Sequence, residues 1–177
     1  MKKFLKMIFI FLGIFILFIA SYFLVGEIPQ VKEIEWGVNF SQKHAKNLGL
    51  DWKETYLALL NDLAVKNIKL ITHWDLLEPE KDEYFFDDLD WQIKKAEEKG
   101  AKLLLVFGMK TGRWPECHEP PWVYIQESKI KNEELLEYLK ETVNHYKNEP
   151  TIVAWQVENE PFLSFGECPP LDVKLLD

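Results

Sequence analysis

The residues best suited to chemistry in this 177-residue chain lie in one short stretch, Glu158-Asn159-Glu160-Pro161, at the end of an apolar run. Two carboxylates flank an amide there, and extended backbone would send Glu158 and Glu160 to the same side. An ordinary Asn/Pro turn would also place Glu160 at a surface, so the spacing alone assigns it no role. Polar and aromatic residues follow three earlier apolar runs as well. The first run leads into Asn39, Ser41, Gln42 and His44, and the second into His73-Trp74-Asp75 and Glu78-Pro79-Glu80. The third leads into Lys110, Arg113-Trp114-Pro115, Glu116, His118 and Trp122, while Trp155 lies in the last run itself. Aromatic faces can cover the apolar side of a pyranose while amides, imidazoles and carboxylates bond its hydroxyls. The set therefore suits a sugar site, with Asn39, His73, His118, Trp122 and Trp155 as candidate contacts and Trp122, after Pro120-Pro121, as the best platform. Core packing competes for every tryptophan, and structural hydrogen bonding for every histidine. No two histidines share a ligand spacing and the two cysteines fit no zinc pattern, so neither metal nor cofactor is expected.

Those groups need elements to carry them. Strands are expected at Ile34–Phe40, Ile68–Thr72, Lys102–Phe107 and Ile152–Val157, the last two almost continuously apolar, as suits parallel strands buried on both faces. Three helices are expected between them. Asp51, with Glu54 three residues on, starts the first, which turns Tyr56, Leu60, Leu63 and Ala64 to one face. Leu89 to Lys99 forms the second, with Leu89, Ile93 and Ala96 inward and Gly100 just past its end. The third runs from Asn132 to Lys147 with Leu135, Leu139, Val143 and Tyr146 repeating, and Pro150 stops it. Regular strand–helix alternation predicts an α/β fold with a parallel sheet, and such sheets bind ligands at their carboxyl ends. Residues 108–131 form an enlarged loop after the third strand.

Ahead of this unit stands an uncharged apolar run, Met7–Val25, preceded by Lys2, Lys3 and Lys6. It is about as long as a membrane-crossing helix requires and longer than the core of most secretory signals. The reading is an N-terminal transmembrane anchor over 1–25 (a signal peptide is the alternative), a linker over 26–33 and a folded unit over 34–177 outside the cytoplasm. The basic residues before the run set that orientation. Release as a secreted protein would follow only from cleavage. The net charge of −8 argues against nucleic acid and against a polybasic lipid-binding surface. In an oxidising compartment Cys117 and Cys168 could pair or stay free, and sequence leaves that open.

Thr151–Pro161, reading T-I-V-A-W-Q-V-E-N-E-P, resembles the strand-4 signature of clan A glycoside hydrolases. Trp74 to Pro79, continuing through Phe86, Leu89 and Asp90, resembles the strand-2 region of family 42 and related β-galactosidases. Pro121-Trp122 fits the Pro-Trp that follows strand 3 in that group. The resemblance covers Glu35 to about Leu163 and leaves open which of families 5, 39 and 42 is nearest. It implies a parallel β/α barrel of the TIM type, cut after about four β/α units and preceded by the one membrane helix. It also implies retaining hydrolysis of β-linked carbohydrate, with Glu160 as acid/base and Asn159 on the sugar 2-hydroxyl.

Two departures qualify it. The clan usually carries an arginine in strand 2, where this chain has Lys69, a cation without the planar fork. The clan's nucleophilic carboxylate follows strand 7, whereas a whole barrel takes roughly 250 residues. The expectation is thus a fragment that is inactive alone and needs a C-terminal half barrel or self-association. The alternative is a non-catalytic carbohydrate-binding or interaction protein built on a half barrel. A metal-dependent barrel hydrolase is disfavoured because no His-x-His follows the first strand.

Overall fold

A computed structural model describes residues 2–24 and 34–168, and the expected linker falls outside them. They form two compact units, divided at Ile34. The first is a single helix, α1 (Lys2–Leu24), long and apolar enough to cross a membrane, a test that a signal sequence at this position also passes.

The second unit runs β1 (Val38–Ser41), α2 (Gln42–Asn47), α3 (Trp52–Asn61), β2 (Asn67–Ile71), α4 (Trp74–Leu77), α5 (Asp87–Glu98), β3 (Lys102–Phe107), α6 (Ser128–Tyr146) and β4 (Ile152–Val157). All four strands are parallel, in the order β1-β2-β3-β4. Every expected strand is present, β1 being shorter and starting later because only Val38 to Ser41 find partners on β2.

The helix signals were physical ones. Asp51 accepts the backbone N–H groups of Lys53 and Glu54, as a cap should. Behind it Tyr56 and Leu60 are buried, but α3 stops at Asn61, so Leu63 is exposed and Ala64 turns to φ +49°. On α5 the expected Leu89, Ile93 and Ala96 all face the core, and Gly100 follows with φ +61°. On α6 the buried residues include Leu135, Tyr138, Thr142 and Tyr146, while Val143 is exposed. The short helices α2 and α4 lie within stretches expected to be loop.

Strand register sorts the two faces of the sheet. Phe40, Ile68, Leu70, Leu103, Leu105 and Ile152 are buried together with the helix residues in one core. The opposite, concave face carries Asn39, Lys69, Leu104 and Ala154 as one row across the four strands, followed by Ser41, Ile71, Val106 and Gln156. The expectation that β4 is buried on both sides fails. Val153, Trp155 and Val157 are exposed, because β4 ends the sheet and no described element covers it.

Candidate active site

The junction of β3 and β4 holds the carboxylate stretch. Glu158 hydrogen-bonds back to β3 through its N–H, 2.9 Å from the Phe107 carbonyl, and Asn159 N–H reaches the Lys110 carbonyl at 2.7 Å. Immediately beyond β4 the extended backbone gives way, with Glu158 at φ +61° and Glu160 at φ +53°. Non-glycine residues seldom occupy that region, and neighbours that over-determine it usually do so at functional sites.

Those neighbours are visible here. The Glu158 carboxylate is buried, accepting the N–H of Met109 at 2.9 Å and of Lys110 at 2.5 Å. Burial pushes its pKa up to about 7, while the two N–H groups and the Lys110 ammonium pull the other way. Gly108, at φ +140°, makes room for it, since a Cβ there would stand 2.5 Å from Glu158 Oε1. Lys110 is itself buried and donates to the carbonyls of Glu160 (3.2 Å) and Leu163 (2.6 Å), with Glu116 at 3.6 Å. The backbone around Glu160 is therefore clamped from the β3 loop, and its own side chain stays exposed.

Asn159 is oriented from the concave face. Its Oδ1 accepts from Lys69 Nζ at 3.2 Å and from Gln156 Nε2 at 3.3 Å. Because lysine can only donate, that contact fixes which end of the amide faces inward. Lys69 stands in the row between Asn39 and Leu104, above an open groove of about 300 Å³ lined also by Val153 and Ala154. A larger groove of about 450 Å³ adjoins it at the amino end of the strands, beside Gly37, Asn67 and Gly100.

His73 and His118 make a separate buried cluster. Their rings meet edge to face at 4.4 Å, His73 Nε2 lies 3.2 Å from Ser41 Oγ, and His118 Nδ1 lies 3.2 Å from Lys43 Nζ. Lys43 also donates to Asp75 at 2.5 Å. Burial lowers the pKa of both histidines, reinforced at His73 by His118, Lys43 and Lys46, and brings His118 to about 4 with the help of Lys43. Asp75 is raised by burial against the pull of Lys43. Two neutral imidazoles result, His73 bonded to Ser41 and His118 to Lys43, with their rings packed on each other and neither bonded to Asn159 or Glu160. With Lys43 donating to Nδ1, the His118 proton sits on Nε2, which is buried and has no partner.

The tryptophans separate by role. Trp122 donates its indole N–H to the Glu78 carbonyl at 3.1 Å and packs edge-on against buried Trp74. Glu78 accepts from Trp74 at 2.7 Å and from the Asp82 N–H at 3.0 Å, so Glu78-Pro79 structures its loop. Trp155 aligns with Leu105 and rests on Phe107, which puts it on the helix-side face of the sheet, turned away from the concave groove. The register of β4 thus removes it from the sugar-contact set. Asn39 is exposed on the same face as Lys69. Among the described residues no group of His, Cys, Asp and Glu could hold a metal. No bond joins Cys117 and Cys168 in this structure. Gly108 and Gln156 serve the site, and Lys43 the histidine cluster, without having been singled out for it. Only Gly108, directly after an apolar strand, carried a signal for such a place.

Comparison with solved structures finds the same fold in glycosidases. An exo-beta-1,4-mannosidase, Op5Man5, from an Opitutaceae bacterium (strain TAV5) superposes with a TM-score of 0.59 at 17% identity, over 72% of this chain and 25% of that one. GH5_18 from Streptomyces cattleya gives a TM-score of 0.58 at 17% identity, over 77% and 36%. Gan42B, a GH42 beta-galactosidase from G. stearothermophilus, gives 0.55 at 18%, over 74% and 22%. The matches span about a quarter to a third of the length of these proteins. No curated protein sequence matches the chain. The family model for glycosyl hydrolase family 10 matches residues 29–168, within the clan that the strand-4 signature indicated. The chain therefore belongs to glycosyl hydrolase family 10.

Proposed function

We propose that the folded unit supplies the acid/base half of a retaining glycosidase site acting on β-linked carbohydrate, with Glu160 as the proton donor to the leaving oxygen. The observation that carries this reading is the clamp on Asn159-Glu160. Lys110 holds the Glu160 carbonyl, Glu158 fixes the chain just before it, and Lys69 orients Asn159. With Oδ1 of Asn159 engaged by two donors, its NH₂ is free to donate to a sugar hydroxyl. Glu160, exposed at the carboxyl end of the sheet, can reach a glycosidic oxygen and return as base toward water. Asn39 and Lys69 on the concave face complete the sugar's polar surroundings.

Retaining hydrolysis requires a second carboxyl about 5–5.5 Å from the first. Glu158 does not serve, because both its oxygens are taken by backbone N–H groups in a buried pocket. This reading assigns the nucleophile to a carboxylate outside the described residues, so residues 34–168 by themselves bind sugar weakly and turn it over poorly. The apolar helix α1 anchors the unit at a membrane with the sheet on the extracytoplasmic side. A second reading, a non-catalytic carbohydrate-binding or self-associating half barrel, is favoured by the free edges of β1 and β4 among the described residues.

The test is Glu160→Gln in a form that hydrolyses glycosides, whether alone or paired with the complementary half of a barrel. Loss of a general acid/base lowers turnover by roughly 10²–10⁴. The loss should be largest for poor leaving groups and smallest for a dinitrophenyl glycoside, whose departure needs no proton. An equal loss on both, or none, would overturn the role. Robust hydrolysis by residues 34–168 alone would overturn the assignment of the nucleophile elsewhere.

A further inference from the structure

We propose that Cys117 and Cys168 form an intrachain disulfide that straps the segment after β4 onto the loop after β3. The β3 loop is a hairpin in which Lys110 bridges Cys117, Thr111 N–H reaches the Glu116 carbonyl at 3.0 Å and His118 N–H reaches the Met109 carbonyl at 3.0 Å. Against it lies the chain that leaves Glu160. Glu167 N–H donates to the Pro115 carbonyl at 3.0 Å, and Gly166, at φ +81°, approaches so closely that a Cβ there would sit 2.5 Å from the same oxygen and 3.0 Å from Glu116 Cβ. The residue after Glu167 is Cys168, which these contacts bring to the hairpin that carries Cys117. Cys117 is buried and Cys168 half-buried against the same core. The chain has two cysteines in all, so no competing pairing exists within it.

The neighbours of both cysteines already touch, Glu167 with Pro115 and Gly166 with Glu116, so a bond asks for little backbone movement. The reaction is thiol–disulfide exchange with an external disulfide donor. One cysteine thiolate attacks a donor sulfur and expels the donor's other half as a thiolate. The second cysteine then attacks the mixed disulfide and releases the remaining half. Two protein thiols are oxidised and lose two protons, and one donor disulfide is reduced to two thiols. The donor used below is oxidised glutathione. What the strap would fix is the segment that Lys110 already holds through the Glu160 and Leu163 carbonyls.

The proposal does not rest on glycosidase activity, and its test reads none. The full chain in detergent is equilibrated with oxidised glutathione, treated with an alkylating agent under denaturing conditions, and weighed by mass spectrometry. The expected species lacks two hydrogen atoms, takes up no label, and gains two labels after reduction. Its thermal midpoint should exceed that of the reduced chain, and the difference should vanish in Cys168→Ser. Two labelled thiols, two separate glutathione adducts, or linkage between chains would each overturn the proposal.

Discussion

Glu158 and Glu160 share a strand end yet have opposite fates, and the difference arises in the backbone. Period-two alternation predicts one face for both, but positive φ at each breaks the alternation and buries only Glu158. That burial makes a prediction about pH. The folded-state pKa of Glu158 is raised from 4.5 to about 7, so folding disfavours its charged form. Its contribution to stability is fully present below about 4.5 and is lost as pH rises through 7. His118 works in the other sense. Its pKa is lowered from 6.5 to about 4, so its contribution holds above 6.5 and fades as pH falls toward 4. Wild type sums the two opposing trends, whereas Glu158→Gln keeps only those of the other groups. Urea unfolding of both between pH 4.5 and 7 should therefore show wild type losing stability relative to the variant as pH rises. Parallel curves would mean that Glu158 titrates at its ordinary value.

At the scale of elements, parallel strands and three of the helices were legible because each announces itself locally. Continuous Leu/Val runs, the Asp51 cap and Gly100 are physical signals that need no tertiary context. What sequence could not show was where an element stops. Leu63 fits the periodicity of α3 but falls past its end, and Trp155 has the composition of a sugar platform but the register of a helix-side residue. The β3–β4 junction was equally hidden, since Glu158 meets residues 109 and 110 only after α6 has carried the chain back. Gly108 tests how rigid that junction is. Replacing Gly49, at φ +72° with open space around it, by alanine strains the backbone alone and should cost about 1 kcal/mol. Gly108→Ala adds a Cβ 2.5 Å from Glu158 Oε1 to an equally unsuitable φ of +140°. Its expected cost is about 2–4 kcal/mol by chemical denaturation, in the range of buried clashes. Equal losses at the two glycines would show that the Glu158 carboxylate moves aside freely and clamps nothing.

For the whole molecule, the distribution of apolar surface decides what surroundings it tolerates. The side chains of α1 are almost all exposed, and along β4 and beyond it Trp155, Val157, Phe162, Leu163 and Phe165 are exposed too. The second group covers one sheet edge and the segment after it, which suits packing against further protein. The first is a continuous apolar cylinder with Lys2, Lys3 and Lys6 at one end, a pattern that lipid satisfies and water does not. Lysines before a crossing helix favour the cytoplasmic side, so the proposed topology puts the folded unit on the other side of the membrane. Added protease should therefore degrade the unit beyond residue 34 in intact cells while leaving a short membrane-embedded peptide. A cleaved signal would instead give a soluble protein in the extracytoplasmic fraction with no such peptide. Full protection of the unit until cells are lysed would place it in the cytoplasm, away from extracellular polysaccharide and from any oxidising partner for Cys117 and Cys168.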